Sequence, residues 1–577
     1  MLERLLKRAA SVWDAFRSRL PKLPGKWLLL LSLGGLAVYA FLLRCLHLFN
    51  SGHYYMLSPD SYFFHWLAGK VMAGEELPAG AMPGAITGVL HSGLAYPLAY
   101  ISEAVSYVFG LSSADALDLV CKLLPPVLGI IIMVVIYLAA ARIYNRRAGL
   151  FTAFAWAIIA LGVVVSAAGY VDRDSLSILL VTTGALVFYL SRDWQLRIGN
   201  RDVGWLVAGL GVLAIEGTLY AEWSFVGPIL LLAIILAYSA VRFLLGYFDE
   251  LDKEPNVLRR IATAARKIGW RTLAVIILGH AIFAGVNTDM VVSSWNFATA
   301  VASWVGRSDI AEMQGITQWD ILGFNFLLIP MAIALFLAWR RRDEGAIFFS
   351  CWFLCLLVLS LFAKRVLIHT APAACLLSGV GLAFLWEWMK QGQYQPLKKA
   401  GVAALLCLLV LLSLSAYSLG SNPRVAVNEE WQDALAYIRE GTPQEAIVMS
   451  QWSWGYWILD LGQRRPVVDN GFYGWDFERL HDTGLAYVTT EPSEAVRIME
   501  KYGADYLVFS TLDKDIANTV LKRAGLEEEY KGLIGFPPDS LVSRVLDGEF
   551  DSEGGLEVVY RSFPDSEVFI LGLVQSE

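Results

Sequence analysis

The sequence predicts a polytopic α-helical membrane protein with a C-terminal mixed α/β domain outside the membrane. Three observations predict it. Apolar residues dominate: of 577 residues, 56% are hydrophobic and 17% charged, with a mean hydropathy of +0.52. Soluble domains run near 25% charged. The apolar residues form runs long enough to cross a bilayer, which takes roughly 20 residues per helix. The runs then stop near residue 420, and 421–577 carries 13 Lys and Arg against 28 Asp and Glu, a net charge of −15, while the rest of the chain is +8. Other classes are excluded by the same figures. An overall charge of −7 argues against nucleic acid as a partner, and the apolar content excludes disorder. The six cysteines, Cys45, Cys121, Cys351, Cys355, Cys375 and Cys407, lie in or beside apolar runs. They read as small buried hydrophobes rather than a disulfide framework.

Along the chain, residues 1–26 are a basic, amphipathic lead-in expected to lie on the cytoplasmic surface of the cell's inner membrane. Eleven spans follow, at about 27–46, 122–142, 149–168, 174–191, 204–221, 224–245, 270–287, 321–339, 346–363, 366–388 and 400–420. The first is too long for a signal peptide and lacks a small-residue cleavage site, so it reads as an anchor. Lys and Arg set the orientation. The N-terminus, Arg142 to Arg147, Arg192 to Arg201, Lys253 to Arg271, Arg340 to Arg342 and Lys390 to Lys399 occupy every second loop. Those loops are expected to be cytoplasmic, and the tail periplasmic or extracellular. The membrane body, 27–420, then has two long outer loops, about 47–121 and 288–320, longer than connection requires and expected to carry function. The tail, 421–577, alternates helical stretches (428–440, 493–502, 515–524) with strand-like runs (446–449, 506–509, 556–560, 568–571), which reads as α/β.

Acidic residues at outer span ends are the first place to look for chemistry, because charge beside a bilayer is costly. Asp60 stands among aromatics in the first long loop, in Tyr54-Tyr55-Met56-Leu57-Ser58-Pro59-Asp60. Asp172 and Asp174 flank Arg173 at the outer end of the third span. Such a pair offers hard oxygen donors of the kind Mg2+ and Mn2+ prefer; Asp174 reads equally as the cap of the fourth span. Glu312 sits in the second long loop, where it reads as surface or as site. In the tail, Gln451-Trp452-Ser453-Trp454-Gly455 precedes Val467-Val468-Asp469-Asn470-Gly471. Clustered tryptophans next to a glycine suggest a rigid recognition pocket, or an aromatic core.

Taken in order, Asp60, Asp172/Asp174, Glu312, Arg365 and Gln451–Gly455 resemble the motif series of the oligosaccharyltransferase catalytic subunit, in its single-subunit prokaryotic form (PglB in bacteria, AglB in archaea). The resemblance spans nearly the whole chain and implies a GT-C fold with 11 to 13 spans. It implies transfer of an oligosaccharide, with inversion, from a polyprenyl (pyro)phosphate carrier to the Asn amide of N-x-Ser/Thr. Asp60 and Glu312 would activate the amide. Asp60, Asp172, Asp174 and Glu312 would surround one Mn2+ or Mg2+, Arg365 would meet the carrier phosphates, and Gln451, Trp452, Ser453, Trp454 and Gly455 would bind the sequon. The partners implied are the lipid-linked donor, the acceptor polypeptide and the bilayer, with no further subunit required. There are departures. The family's W-W-D-Y-G reads Q-W-S-W-G, so Ser453 stands where the family has Asp. The second hydroxyl-pocket motif has no clear match, although 515–521 lies in the right region. The rival enzyme is another lipid-donor glycosyltransferase acting on lipid or glycan. A transporter would place ionisable groups at mid-membrane, where the spans hold few besides Glu216 and His280.

Overall fold

The computed structural model describes residues 25–50, 56–75, 94–192, 196–198, 201–221, 226–251, 253–286, 327–391, 427–469, 477–562 and 567–574, with isolated positions between 400 and 414. Most of the lead-in, the second long loop with Glu312, and most of the last expected span lie outside the described residues.

Among the described residues, five helices are long and apolar enough to cross a membrane, and four shorter apolar helices accompany them. The body opens with α1 (Gly25–Asn50). The first long loop holds α2 (Pro59–Met72) and α3 (Ala95–Phe109), and α4 (Ser113–Ile143) returns into the bundle. The start of α4 lies nine residues ahead of the expected span. The reason is local: Ser112 Oγ accepts from Asp115 N at 3.1 Å and caps the helix. Next come α5 (Arg146–Ile158), α6 (Ala160–Val165) and α7 (Arg173–Ser191). A short antiparallel pair, β1 (Arg197–Ile198) and β2 (Arg201–Asp202), leads to α8 (Gly204–Ala221), α9 (Val226–Asp249), α10 (Val257–Lys267) and α11 (Trp270–Val286). The body continues with α12 (Leu328–Arg341), α13 (Glu344–Ser360) and α14 (Ala371–Gln391). Its core is filled by large side chains such as Trp156, Trp352, Phe348 and Tyr238, with Tyr189 stacked on Phe348 at 4.5 Å. Glu216 and His280, the ionisable exceptions, hydrogen-bond to each other. Of the cysteines, Cys45, Cys121 and Cys375 are buried; all six are free thiols and Cys407 is exposed.

The third span is not the continuous helix expected over 149–168. It breaks at Ile159, whose ψ of 127° is extended, leaving α5 and α6. A break inside an apolar bundle strands carbonyl groups that water cannot reach. Arg44 on α1, fully buried, takes them: Nη2 donates to Trp156 O at 3.2 Å and Nη1 to Ala157 O at 3.3 Å, while Nε donates to Ser166 Oγ at 2.7 Å. Gly129 on α4 leaves the room, since a Cβ there would stand 2.8 Å from both Arg44 Nε and Ser166 Oγ. The turn after α6 is pinned from three elements. Ala168 N donates to Arg44 O (2.9 Å), Gly169 N to Lys122 O (3.0 Å), and Leu57 N to Gly169 O (3.0 Å).

The C-terminal part opens with α15 (Glu429–Gly441) and contains a six-stranded sheet in the order β4-β3-β5-β8-β7-β6. Here β3 is Ile447–Met449, β4 Arg465–Pro466, β5 Tyr506–Ser510, β6 Ser552–Glu553, β7 Leu556–Arg561 and β8 Val568–Leu573. β3 is parallel to β4 and β5; the remaining pairs are antiparallel. The seven helices and strands expected in this part all form. Successive side chains of a strand face opposite ways. Thus Leu507, Phe509, Phe569 and Leu571 enter one core, and Val508, Val568 and Ile570 the other. This second core also holds Trp431 of α15, Met56 and Tyr62 from the first long loop, Leu117 of α4, and Val171. One apolar core therefore joins the sheet to the end of the helical body that carries the first long loop.

Candidate functional site

The Asp172–Asp174 pair stands on the pinned turn. Asp172 is the N-cap of α7, its Oδ1 accepting from Arg173 N at 2.5 Å, and Asp174 lies in the first turn. The capping role expected for Asp174 thus falls to Asp172, because the extended residue before the helix is the one that caps. Both carboxylates are buried. Arg365 faces them, with Nη2 3.4 Å from Asp174 Oδ1 and 3.8 Å from Asp172 Oδ2. It sits in the 3-10 turn Lys364–Thr370, which is tied to α7 by the 3.0 Å contact between His369 Nε2 and Ser177 Oγ.

Asp60 occupies the first turn of α2. The Leu57–Gly169 hydrogen bond joins its segment to the turn that carries Asp172, each aspartate lying three residues further along. Arg173 lies over the Phe64 ring of α2 at 5.8 Å, a second tie. Among the described residues, no cluster of three or more His, Cys, Asp or Glu is gathered closely enough to hold a metal ion. The fourth acidic residue, Glu312, lies outside the described residues.

The stretch Gln451 to Gly455 forms a 3-10 turn, Trp452–Trp454, running into α16 (Gly455–Asp460). Gln451 Oε1 caps the turn by accepting from Ser453 N at 2.8 Å. Its Nε2 is buried with no hydrogen-bond partner among the described residues, and so is Thr483 Oγ1. Both residues line one small pocket with Trp452, Leu480, Val520 and Arg523. A buried donor without a partner is costly, so this pocket is suited to a hydroxyl or carbonyl. Gly455 is required by close approach: a Cβ there would meet Asp469 Cα at 2.5 Å. Trp454 is committed to the core, its ring 4.6 Å from that of Trp457 and 4.9 Å from that of Trp431. Trp452 and Ser453 are half-buried.

Sequence reasoning missed what holds this turn. Trp454 Nε1 donates to Asp513 Oδ1 at 2.7 Å, and Ser510 N donates to Asp513 Oδ2 at 2.8 Å. The capping box Ser510-x-x-Asp513 was the available signal. Burial pushes the Asp513 carboxyl up to about 7, against the donors at Ser510, Trp454 and Tyr487 that favour the anion. The folded protein then binds this proton more tightly than the unfolded chain does. Its contribution to stability is complete below about pH 4 and is lost as the pH rises through 7. Melting curves of the purified protein are expected to shift downward between about pH 5 and 8 for this reason. Asp513→Asn, which has no proton to lose, should start lower and stay flatter; a variant whose slope matches the parent would remove Asp513 as the cause.

The chain is 25% identical over 524 residues to dolichyl-phosphooligosaccharide-protein glycotransferase 1 of Pyrococcus furiosus, an alignment covering 75% of this chain and 52% of that protein. It is 23% identical to glycotransferase 2 of the same organism, over 83% of this chain and 70% of the relative. The chain thus spans about half the length of the first of these relatives. No family model matches. Among solved structures, the Archaeoglobus fulgidus oligosaccharyltransferase in its apo form superposes with a TM-score of 0.70 at 15% identity, over 93% of this chain and 80% of that one. ArnT from Cupriavidus metallidurans superposes at 0.52 and 14%, over 95% and 98%. The structures give the fold, GT-C, and the ordered motifs and the sequence relatives agree in direction: this chain is similar to the catalytic subunits of oligosaccharyltransferases.

Proposed function

We propose that this integral membrane protein transfers an oligosaccharide from a polyprenyl (pyro)phosphate carrier to the side-chain amide of Asn in N-x-Ser/Thr, with inversion, and that it does so as a single subunit. One observation carries the reading. The buried Asp172–Asp174 pair has Arg365 against it and the helix of Asp60 tied to the same turn, and the Gln451–Gly455 turn opens the helix that packs on that of Asp60. The Pyrococcus relatives are named as dolichyl-phosphooligosaccharide-protein glycotransferases. The Archaeoglobus protein has been solved with an inhibitory peptide and a dolichol-phosphate, and again with Zn and sulfate. The basic loops support an N-terminus in the cytoplasm and, with an odd number of spans, a C-terminal domain outside.

A divalent cation, Mn2+ or Mg2+, belongs to the reading. The donor set fits one: the carboxylates of Asp172 and Asp174 are hard oxygen donors, buried side by side and already facing a positive charge. Asp60 and Glu312 would complete the set. The cation would supply charge stabilisation for the departing lipid phosphate. The remaining steps belong to the chain. Arg365, with its planar fork of donors, binds the carrier phosphate. Asp60 and Glu312 accept hydrogen bonds from the two amide N–H groups, which weakens the conjugation that makes amide nitrogen a poor nucleophile. Trp452, Ser453 and the open amide of Gln451 hold the hydroxyl residue at +2. Ser453 accepts as a neutral group, about half as strongly as the family carboxylate.

Purified protein should convert a fluorescent Asn-x-Thr peptide to glycopeptide with lipid-linked oligosaccharide and Mn2+. It should give no product with chelator or with Gln-x-Thr. Transfer to a lipid or free glycan, with none to any peptide, would overturn this reading in favour of another GT-C activity.

A further inference from the structure

Outside the proposed site, one histidine joins three elements. His65 lies on α2, five residues beyond Asp60. Its Nδ1 is 3.0 Å from Asp460 Oδ1, at the end of α16, and its Nε2 is 3.2 Å from Asp118 Oδ1, near the start of α4. Both ring nitrogens therefore face carboxylates. A neutral imidazole has one donor and one lone pair, and the lone pair would oppose one of those anions. With both carboxylates ionised, only the imidazolium donates to both.

We propose that His65 is a protonated clamp that positions α2, and with it Asp60, against the acceptor-binding turn that leads into α16. It is a positioning residue, and the proposal deepens the transferase reading and rests on it.

The surroundings agree. Asp460 is almost fully buried, so its carboxylate needs a cation. Asp118 is half-exposed and is also reached by Lys122 Nζ at 3.4 Å. The thiol of Cys121 on α4 lies beside the same groups, and Arg439 reaches the carbonyl of Leu461, next to Asp460, at 3.4 Å. Aromatic packing sets the same joint, with Phe63 stacked on Tyr456 at 4.9 Å and Tyr62 edge-on to Trp457 at 6.5 Å. Burial works against the charge on His65, but Asp460 and Asp118 outweigh it and push the pKa up to about 10. Burial likewise raises Asp460. A raised histidine keeps its contribution in full below its ordinary value and loses it only as the pH climbs through 10. The clamp is therefore closed at neutral pH, and peptide kcat/KM should show no histidine step near its ordinary value of 6.5.

The test uses the full chain in nanodiscs and four proteins: wild type, His65→Gln, Asp460→Asn and the double variant. Two readouts are taken, hydrogen exchange in peptides covering 59–68 and 455–461, and the KM for acceptor peptide against that for lipid donor. His65→Gln should speed exchange in both stretches and raise the peptide KM about tenfold with the donor KM unchanged. The double variant should recover protection relative to His65→Gln, because the Gln amide then donates to the amide oxygen that Asp460→Asn provides, and no buried anion is left unpaired. Unchanged exchange in His65→Gln overturns the clamp, as does a double variant less protected than His65→Gln. Faster exchange with an unchanged peptide KM overturns the positioning role. Faster exchange in the variant when even the wild type glycosylates no peptide supports the clamp and overturns the transferase reading instead.

Discussion

Asp60→Ala is expected to lower glycan transfer about a thousandfold or more while the protein still folds. The effect is large because Asp60 has two roles in the proposed chemistry, accepting from the acceptor amide and belonging to the carboxylate set around the cation. The fold should tolerate it. Asp60 lies part-exposed in the first turn of α2, where a carboxylate contributes about 0.3 to 1 kcal/mol through the helix dipole. Glu312→Ala should match it. Asp172→Ala should lose as much activity and also about 1 kcal/mol of stability, because Asp172 caps α7. Single-turnover transfer and thermal unfolding, measured on the same preparations, separate the two losses. Residual transfer above about a tenth of wild type in Asp60→Ala would remove it from the chemistry.

Arg44→Leu is expected to destabilise the helical body by roughly 3 to 6 kcal/mol. The substitution removes the donor serving Trp156 O, Ala157 O and Ser166 Oγ at the break between α5 and α6. Each orphaned acceptor costs about 1 to 3 kcal/mol in a dry interior. Leucine is apolar, so a view of membrane helices based on hydropathy alone expects a gain, the opposite sign. The damage should spread to function through displacement of α1, whose backbone carbonyl at position 44, retained in the variant, accepts from Ala168 N in the turn that presents Asp172. Arg44→Lys should recover only part, because one ammonium cannot reproduce the planar fork. Gly129→Ala, which pushes a methyl into the guanidinium, should move the melt in the same direction. The measurement is the unfolding temperature in detergent. A fall under about 2 °C for Arg44→Leu would contradict the account.

Much of this was legible without coordinates. Apolar runs declare helices because backbone polar groups in lipid must be satisfied within the segment. Unbroken apolar runs in 506–509 and 568–571 declare strands covered on both faces. What was not legible came from contacts distant in sequence. The break at Ile159 has no proline or glycine at that position; the carbonyls it frees are served by Arg44, 112 to 113 residues earlier. Asp513 is 59 residues from the Trp454 it holds, and the helix Phe477–Val488, which carries Thr483 to the pocket, is amphipathic but does not figure among the expected elements. Trp454 and Trp452 look alike in the motif, yet one is buried in the core and the other lines the pocket.

The sequence by itself determined the class of the molecule, the acidic domain, and the residue types that chemistry of this kind requires, because hydropathy, charge and motif order are properties of the chain. Only the tertiary structure decided which of those residues meet. Arg365 reaches Asp174 across 191 residues, and His65 reaches Asp460 across 395. Such pairs are chosen by the packing of helices and sheet around a shared core, where an ion or donor buried without its partner is too costly to persist.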